Sequence, residues 1–184
     1  MDILYENQDL IILLKEKGKP VQEDSSGEKS LLREVEEYIC SKAFVITRLD
    51  RPVGGITLFA KNKHSAAKLS TMVQEHKINK VYYAVVCGCI KGSGRLENYL
   101  FKNQRQNITK VVNKGNLGAK LALLEYEAVK EKNNMTLVKI NLITGRHHQI
   151  RVQFANIGIP LYGDTKYNAE FKHKRGVDTA LYAS

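Results

Sequence analysis

The stretch Ile46-Thr47-Arg48-Leu49-Asp50-Arg51-Pro52-Val53-Gly54-Gly55-Ile56-Thr57-Leu58-Phe59-Ala60-Lys61-Asn62 decides how the rest of the chain is read. One carboxylate, Asp50, stands between Arg48 and Arg51 and is followed by a proline and a glycine pair. Residues 56–60 are then an apolar run of strand length. An acid on a tight loop that feeds a buried strand is where a rigid scaffold presents a reactive group. Arg-Leu-Asp alone is too short a pattern to carry that reading. Two later segments complete it.

Upstream, residues 44–46 read as a short strand leading into the loop. Residues 30–40 place Leu31, Leu32, Val35, Tyr38 and Ile39 at helical spacing, with Glu36, Glu37 and Lys42 on the solvated side. Residues 10–14, Leu-Ile-Ile-Leu-Leu, are a buried strand backed by a turn over KEKGKPVQ. Downstream, residues 65–75 are a second amphipathic helix using Ala66, Leu69, Met72 and Val73. Lys80 to Gly88, KVYYAVVCG, is strand by its β-branched and aromatic content. Residues 91–118 are rich in Gly, Asn, Lys and Gln and read as a long loop, with a short strand at 108–112. Residues 121–130 and 135–142 form an antiparallel hairpin turned at Glu131-Lys132-Asn133-Asn134. Ile150, Phe154 and Ile157 are the buried side of a helix that ends near Gly158, ahead of Pro160. Strands outnumber helices and are paired in sequence. The expected fold is therefore α+β, a single domain on a mixed, largely antiparallel β-sheet flanked by helices.

At 184 residues the chain suits one domain. Its 29 Lys and Arg against 19 Asp and Glu give a formal net charge of +10, spread along the sequence, which is the footprint of a nucleic-acid partner. The N-terminus lacks the order of basic, apolar and small residues of a signal peptide. No apolar run approaches the roughly 18 residues of a transmembrane helix. Cys40, Cys87 and Cys89 lack metal-type spacing and read as reduced, mostly buried thiols, with Cys87 and Cys89 on one strand face. The expected setting is the cytoplasm.

Tyr82 and Tyr83 are neighbours on a strand and so point to opposite faces. Within Leu142-Ile-Thr-Gly-Arg-His-His-Gln-Ile-Arg151, helical spacing would gather His147, His148 and Arg151 on one side. Adjacent histidines without a HExxH pattern make a poor metal site, so no metal is expected. A basic patch that meets RNA phosphate is the better reading, because arginine pairs planar anions in a bidentate way. Gly115–Lys120 lacks the P-loop spacing.

Taken in order, ITRLDRPVGGITLFAKN, KVYYAVVCG and LITGRHHQIRVQFANIGIPLYGDTKY resemble the three sequence motifs of the RluA-type pseudouridine synthases. ILYENQDLIILLKEKGKPV is similar, more loosely, to that family's opening strand and turn. The resemblance implies the pseudouridine synthase fold over residues 1–184, without an S4-type RNA-binding module, and with a C-terminal hairpin that is short or missing after Ala180. It implies an enzyme that isomerises uridine in RNA, as a monomer, without cofactor or metal, with ribosomal RNA favoured over transfer RNA. Asp50 matches the family's catalytic aspartate, Tyr82 its active-site tyrosine, and Arg151 the arginine that pairs with the aspartate. Arg48 matches an arginine associated with moving the target nucleotide into the site. Arg51, Arg146 and His148 complete the expected RNA contacts.

The sequence departs from the family pattern at several places. Thr47 precedes Arg-Leu-Asp where His is usual. His147 replaces a Thr, Gln153 stands where a second His is common, RPVGG replaces a DxTSG form, and Glu16 occupies a proline position. The alternatives are an inactive RNA-binding module or RNA chaperone of the same fold, for which a carboxylate facing phosphate has no use. A nucleoside glycosidase, which would more often carry paired carboxylates, ranks below both.

Overall fold

The structure, a computed structural model, describes residues 1–24, 26–174 and 176–184. The chain divides into two compact units, Met1–Ile78 with Ala183–Ser184, and Asn79–Tyr182. Every strand pairing whose register is defined within them is antiparallel, so the α+β expectation holds.

The first unit contains β1 (Asp2–Glu6), β2 (Leu10–Lys15), α1 (Leu31–Tyr38), β3 (Phe44–Val45), β4 (Gly54–Ala60) and α2 (Lys63–Gln74). β2 lies between β1 and β4, in register Leu10↔Ala60 through Lys15↔Gly55. Alternation along β2 sends Ile11, Leu13 and Lys15 into the core. Burying a lysine at the end of an apolar row needs partners for its ammonium, and those lie in the Asp50 loop described below. Asp9 ties the β1–β2 turn to the start of α2, accepting from Ser65 Oγ at 2.6 Å while Asn62 caps the helix.

Gly54 and Gly55 do not form the loop, as their sequence suggested, but open β4. Gly55 has φ +123° and packs against the backbone of Ala183, which a Cβ would strike. The α1 face also differs from expectation. Leu31 and Val35 are buried, whereas Tyr38 is 52% exposed and donates its hydroxyl to Glu6 at 3.1 Å. The helix ends there, so the last turn has no core beneath it. The apolar side of α2, Ala66, Leu69, Met72 and Val73, is only half-buried.

The second unit contains β5 (Val81–Cys87), β6 (Ser93–Asn103), β7 (Ile108–Val112), β8 (Lys120–Lys132), β9 (Met135–Leu142), α3 (Gln149–Asn156), a 3-10 turn (Ala169–Phe171) and the first two residues of β10 (Leu181–Ala183), whose Ala183 belongs to the first unit. Its strands run in the order β5-β9-β8-β6-β7. The β8–β9 hairpin turns on Asn133 and Asn134, with φ of 53° and 55°, the left-handed pair that a two-residue turn requires. α3 packs on one face of this sheet, Val152 against Leu100 and Ala122, and Phe154 edge-on to Tyr126 at 5.6 Å.

β6 is the element the sequence concealed, since residues 93–103 read as loop. Its inward positions, Leu96, Asn98 and Leu100, alternate with outward Arg95, Glu97, Tyr99 and Phe101, a strand with one face uncovered. The cysteines also differ from expectation. Cys40 and Cys89 are exposed and Cys87 is half-buried. β5 ends at Cys87 and Gly88, with φ +134°, turns the chain, so Cys87 and Cys89 do not share a strand face. Ile157 caps the end of α3 and is 42% exposed, not part of its buried side. Among the described residues no helix is long and apolar enough to cross a membrane.

Gly55→Ala should destabilise the protein by about 2 kcal/mol or more, because both the positive φ and the Ala183 backbone oppose a side chain there. Urea denaturation measures it.

Candidate active site

In the first unit, Asp50 sits half-buried on a turn closed by Val53 N–H donating to the Asp50 carbonyl at 2.9 Å. Leu49 anchors the turn from one side, 8% exposed, while Arg48 beside it is open to solvent. The Lys15 ammonium fixes the other side. Its Nζ donates to the carbonyls of Val53 (2.7 Å), Glu16 (2.9 Å) and Arg51 (3.1 Å), which uses all three of its donors. Gly18 N–H adds a fourth tie, to the Arg51 carbonyl at 2.8 Å. Burial lowers the Lys15 pKa to about 8, and the Asp50 carboxylate opposes that shift. At neutral pH the lysine therefore remains charged. The Arg51 guanidinium is engaged by Glu28 at 2.5 Å and Asp24 at 3.5 Å, which raises its pKa.

In the second unit, the alternation of β5 puts Tyr82 on the α3 face of the sheet, 9% exposed, and leaves Tyr83 on the other. Arg151, on α3, is 2% exposed and forms a two-pronged pair with the fully buried Asp164. Nε donates to Oδ2 and Nη2 to Oδ1, both at 2.7 Å. Asp164 Oδ1 also accepts the backbone N–H groups of Lys166 (2.9 Å) and Tyr167 (3.2 Å). The arginine is thus held by a carboxylate that is itself held by the backbone.

The two histidines precede α3 rather than lying on it. His148 is the residue before the helix, in a left-handed conformation with φ 52°, and its ring stacks on that of His147 at 3.6 Å. Tyr167 joins this layer to the arginine. Its hydroxyl accepts Thr109 N–H at 2.8 Å and meets His148 Nδ1 at 2.7 Å, and the guanidinium of Arg151 lies 5.3 Å from its ring centre. Burial, then the Arg151 charge, lowers the His148 pKa to about 2, so the imidazole is neutral. Burial raises that of the Tyr167 phenol, which keeps its proton. His147 Nδ1 pairs with Thr109 Oγ1 at 2.8 Å. A phosphate contact through a charged His148 is therefore not what this geometry offers. Arg146, by contrast, is exposed, its Nε donating to the Leu121 carbonyl at 2.9 Å. Among the described residues no cluster of three His, Cys, Asp or Glu could hold a metal ion.

A sequence profile described as RNA pseudouridylate synthase matches residues 9–156. The chain belongs to that family. The matched span contains Asp50, Tyr82 and Arg151. Among curated relatives it is 28% identical to ribosomal large subunit pseudouridine synthase D of Buchnera aphidicola, over 98% of this chain and 58% of that protein. It is 32% identical to ribosomal large subunit pseudouridine synthase C of Rickettsia bellii, over 90% and 56% respectively. These names place it with the RluA-type members. It is also 29% identical to tRNA pseudouridine synthase C of Haemophilus ducreyi, over 95% and 77%. The chain thus spans little more than half the length of the first two relatives. The solved structure of human RNA Pseudouridylate Synthase Domain Containing 1 superposes with a TM-score of 0.82, over 99% of this chain and 76% of that one. At 21% identity this likeness speaks for the fold alone.

Three residues with clear structural roles at these two places were not singled out by sequence reasoning. Asp164 stood within a quoted Gly-Asp, but nothing in a linear pattern says that it clamps Arg151. Tyr167 closed the same quoted segment, but its position there said nothing of the contacts that its hydroxyl makes. Lys15 broke an apolar alternation, and a lysine at an inward strand position was a signal available to be read.

Replacing Lys15 with Met leaves three carbonyls without their donor. The expected loss is roughly 1–3 kcal/mol, read by urea denaturation, together with faster proteolysis at the Asp50 loop. His148 yields a pH prediction. Its folded pKa of about 2 lies below the ordinary 6.5, so the unfolded chain binds the extra proton between them. Stability attributable to it is complete above about pH 6.5 and falls as pH drops toward 2, by at most about 1.4 kcal/mol per pH unit. His148→Asn, which tolerates the left-handed backbone and does not titrate, should flatten the decline in melting temperature between pH 7 and 4.5.

Proposed function

We propose that this protein isomerises uridine to pseudouridine in RNA, with Asp50 as the catalytic carboxylate and Tyr82 and Arg151 acting with it. The observation that carries the reading is the family match across residues 9–156, which contains all three positions. It is supported by the rigid backbone of the Asp50 turn and by the burial of Arg151 in its pair with Asp164.

The reaction breaks the bond between C1′ and N1 of uracil, rotates the detached base, and joins C5 to C1′ of the same ribose. C5 loses a proton and N1 gains one, so no outside oxidant, metal or cofactor is required. The Asp50 carboxylate either adds to C1′ or removes the C2′ proton to give a glycal, and both routes need an ionised acid on a backbone that does not drift. Tyr82 stacks on the detached uracil and is the candidate to receive the C5 proton. A uridine in a helix must first be unstacked and flipped, at about a few kcal/mol. The net charge of +10 helps to offset this through phosphate contacts. Arg48 and Arg146 are assigned to those contacts first, since both are exposed. Arg51 can join them only by releasing Glu28 and Asp24, and His148 supports Arg151 through Tyr167 instead. Ribosomal RNA is the favoured substrate, for a monomer acting in the cytoplasm.

The test compares the wild type with Asp50→Asn on total RNA from a strain that lacks the protein, mapping pseudouridines at nucleotide resolution. Sites should appear with the wild type and be lost with the variant. Salt-sensitive RNA binding by both proteins, with no new site from either, would instead establish an RNA-binding module.

A further inference from the structure

Residues 98–124 contain five basic side chains, Lys102, Arg105, Lys110, Lys114 and Lys120, and no acidic one. They cover most of β6, the edge strand β7 and the loop 113–119 that leads to β8. No stretch with a one-sided balance this long was needed to build the site described above.

The same segment leaves an apolar surface uncovered. Tyr99 and Phe101 are two apart on β6 and point to the side of the sheet away from α3. Tyr99 is paired across the ladder with Val112 on one side and Leu121 on the other, and Phe101 with Lys110. Phe101 is 39% exposed, Leu121 37% and Leu117 96%. One edge of the Phe101 ring rests on the loop, where a Cβ on Gly118 would lie 3.4 Å from it, while the rest of the ring stays accessible.

Beside Phe101 the charges are positive, with Lys110 across the ladder and Lys114 in the loop, while Glu97, on the far side of Tyr99 on this face, is paired with Arg95 at 3.0 Å. An aromatic ring with positive charges beside it fits a polyanion with flat apolar faces, which is nucleic acid. We infer that β6, β7 and the loop 113–119 form a second RNA contact surface, where a base of single-stranded RNA stacks on Phe101 and its phosphates meet Lys110 and Lys114. This rests on the RNA substrate proposed above. Tyr82 lies on the opposite, α3-bearing side of the same sheet. The second surface therefore takes a part of the RNA other than the target uridine, and it acts on affinity and not on the chemical step.

The test is fluorescence anisotropy of a labelled oligouridylate with the full chain, at several salt concentrations, alongside steady-state pseudouridine formation on the RNA that the wild type modifies. Phe101→Ala should weaken binding about tenfold and Phe101→Trp should retain it. Lys110→Gln with Lys114→Gln should reduce the slope of log affinity against log salt by about 1.4. Both weakened variants should raise KM and leave kcat unchanged. If the wild type modifies RNA while all variants bind and turn over as it does, the surface inference fails and the proposed activity stands. A patch that buries itself in dimers under sedimentation, with RNA affinity insensitive to Phe101, also overturns it. Loss of binding in the variants where the wild type forms no pseudouridine supports the surface and defeats the activity.

Discussion

The buried pair of Arg151 and Asp164 is the constraint on which the second unit depends. Neither side chain has meaningful access to water, at 2% and 0% exposure. Removing one partner of such a pair costs about 3–5 kcal/mol, a large part of the roughly 5–15 kcal/mol that holds a domain folded. Geometry makes the pair tolerable. The guanidinium fork meets both carboxylate oxygens at 2.7 Å, and the 166–167 backbone N–H groups occupy a further lone pair. A lysine at position 151 could not span both oxygens. Arg151 therefore has one orientation, and the stacked histidines, Tyr167 and Thr109 brace it from the β7 side.

The first unit solves a similar problem by a different route. Lys15 is as deeply buried as Arg151, yet its ammonium donates to the backbone carbonyls of Glu16, Arg51 and Val53. Three carbonyl dipoles satisfy three N–H donors but do not cancel the charge, so burial still depresses the pKa to about 8. One group thus fixes the shape of the Asp50 loop and brings a buried positive charge to it.

Much of the fold was legible because it rests on local chemistry. The strand before the loop, the Asn-Asn hairpin and the helix after the third motif each follow from alternation, turn residues or capping. β6 was not, since a strand with one face in solvent can be written in Asn, Lys and Gly as readily as a loop can. The histidines were misplaced onto a helix because sequence spacing cannot show that His148 adopts a left-handed conformation and starts α3 one residue later. At the candidate site, the residues carrying charge were visible as motif positions, whereas their supports were not. Asp164 is 13 residues from its partner and Lys15 is 38 from Val53, and such pairings exist only once the chain is folded.

The departures from the family pattern can be weighed by what each side chain touches. Thr47, where His is usual, accepts the Leu58 N–H at 2.9 Å and so closes β4 onto the segment ahead of Asp50. Gln153, in place of a second His, donates to Asn98 at 2.8 Å and to the Leu96 carbonyl at 3.2 Å, tying α3 to β6 at the cost of one unpartnered amide oxygen. Glu16 is the simplest case. Lys15 uses only the carbonyl of residue 16, and proline carries that carbonyl too. The exchange therefore leaves the anchor of the Asp50 turn untouched. Position 16 is free to vary because the structure reads its backbone and not its side chain.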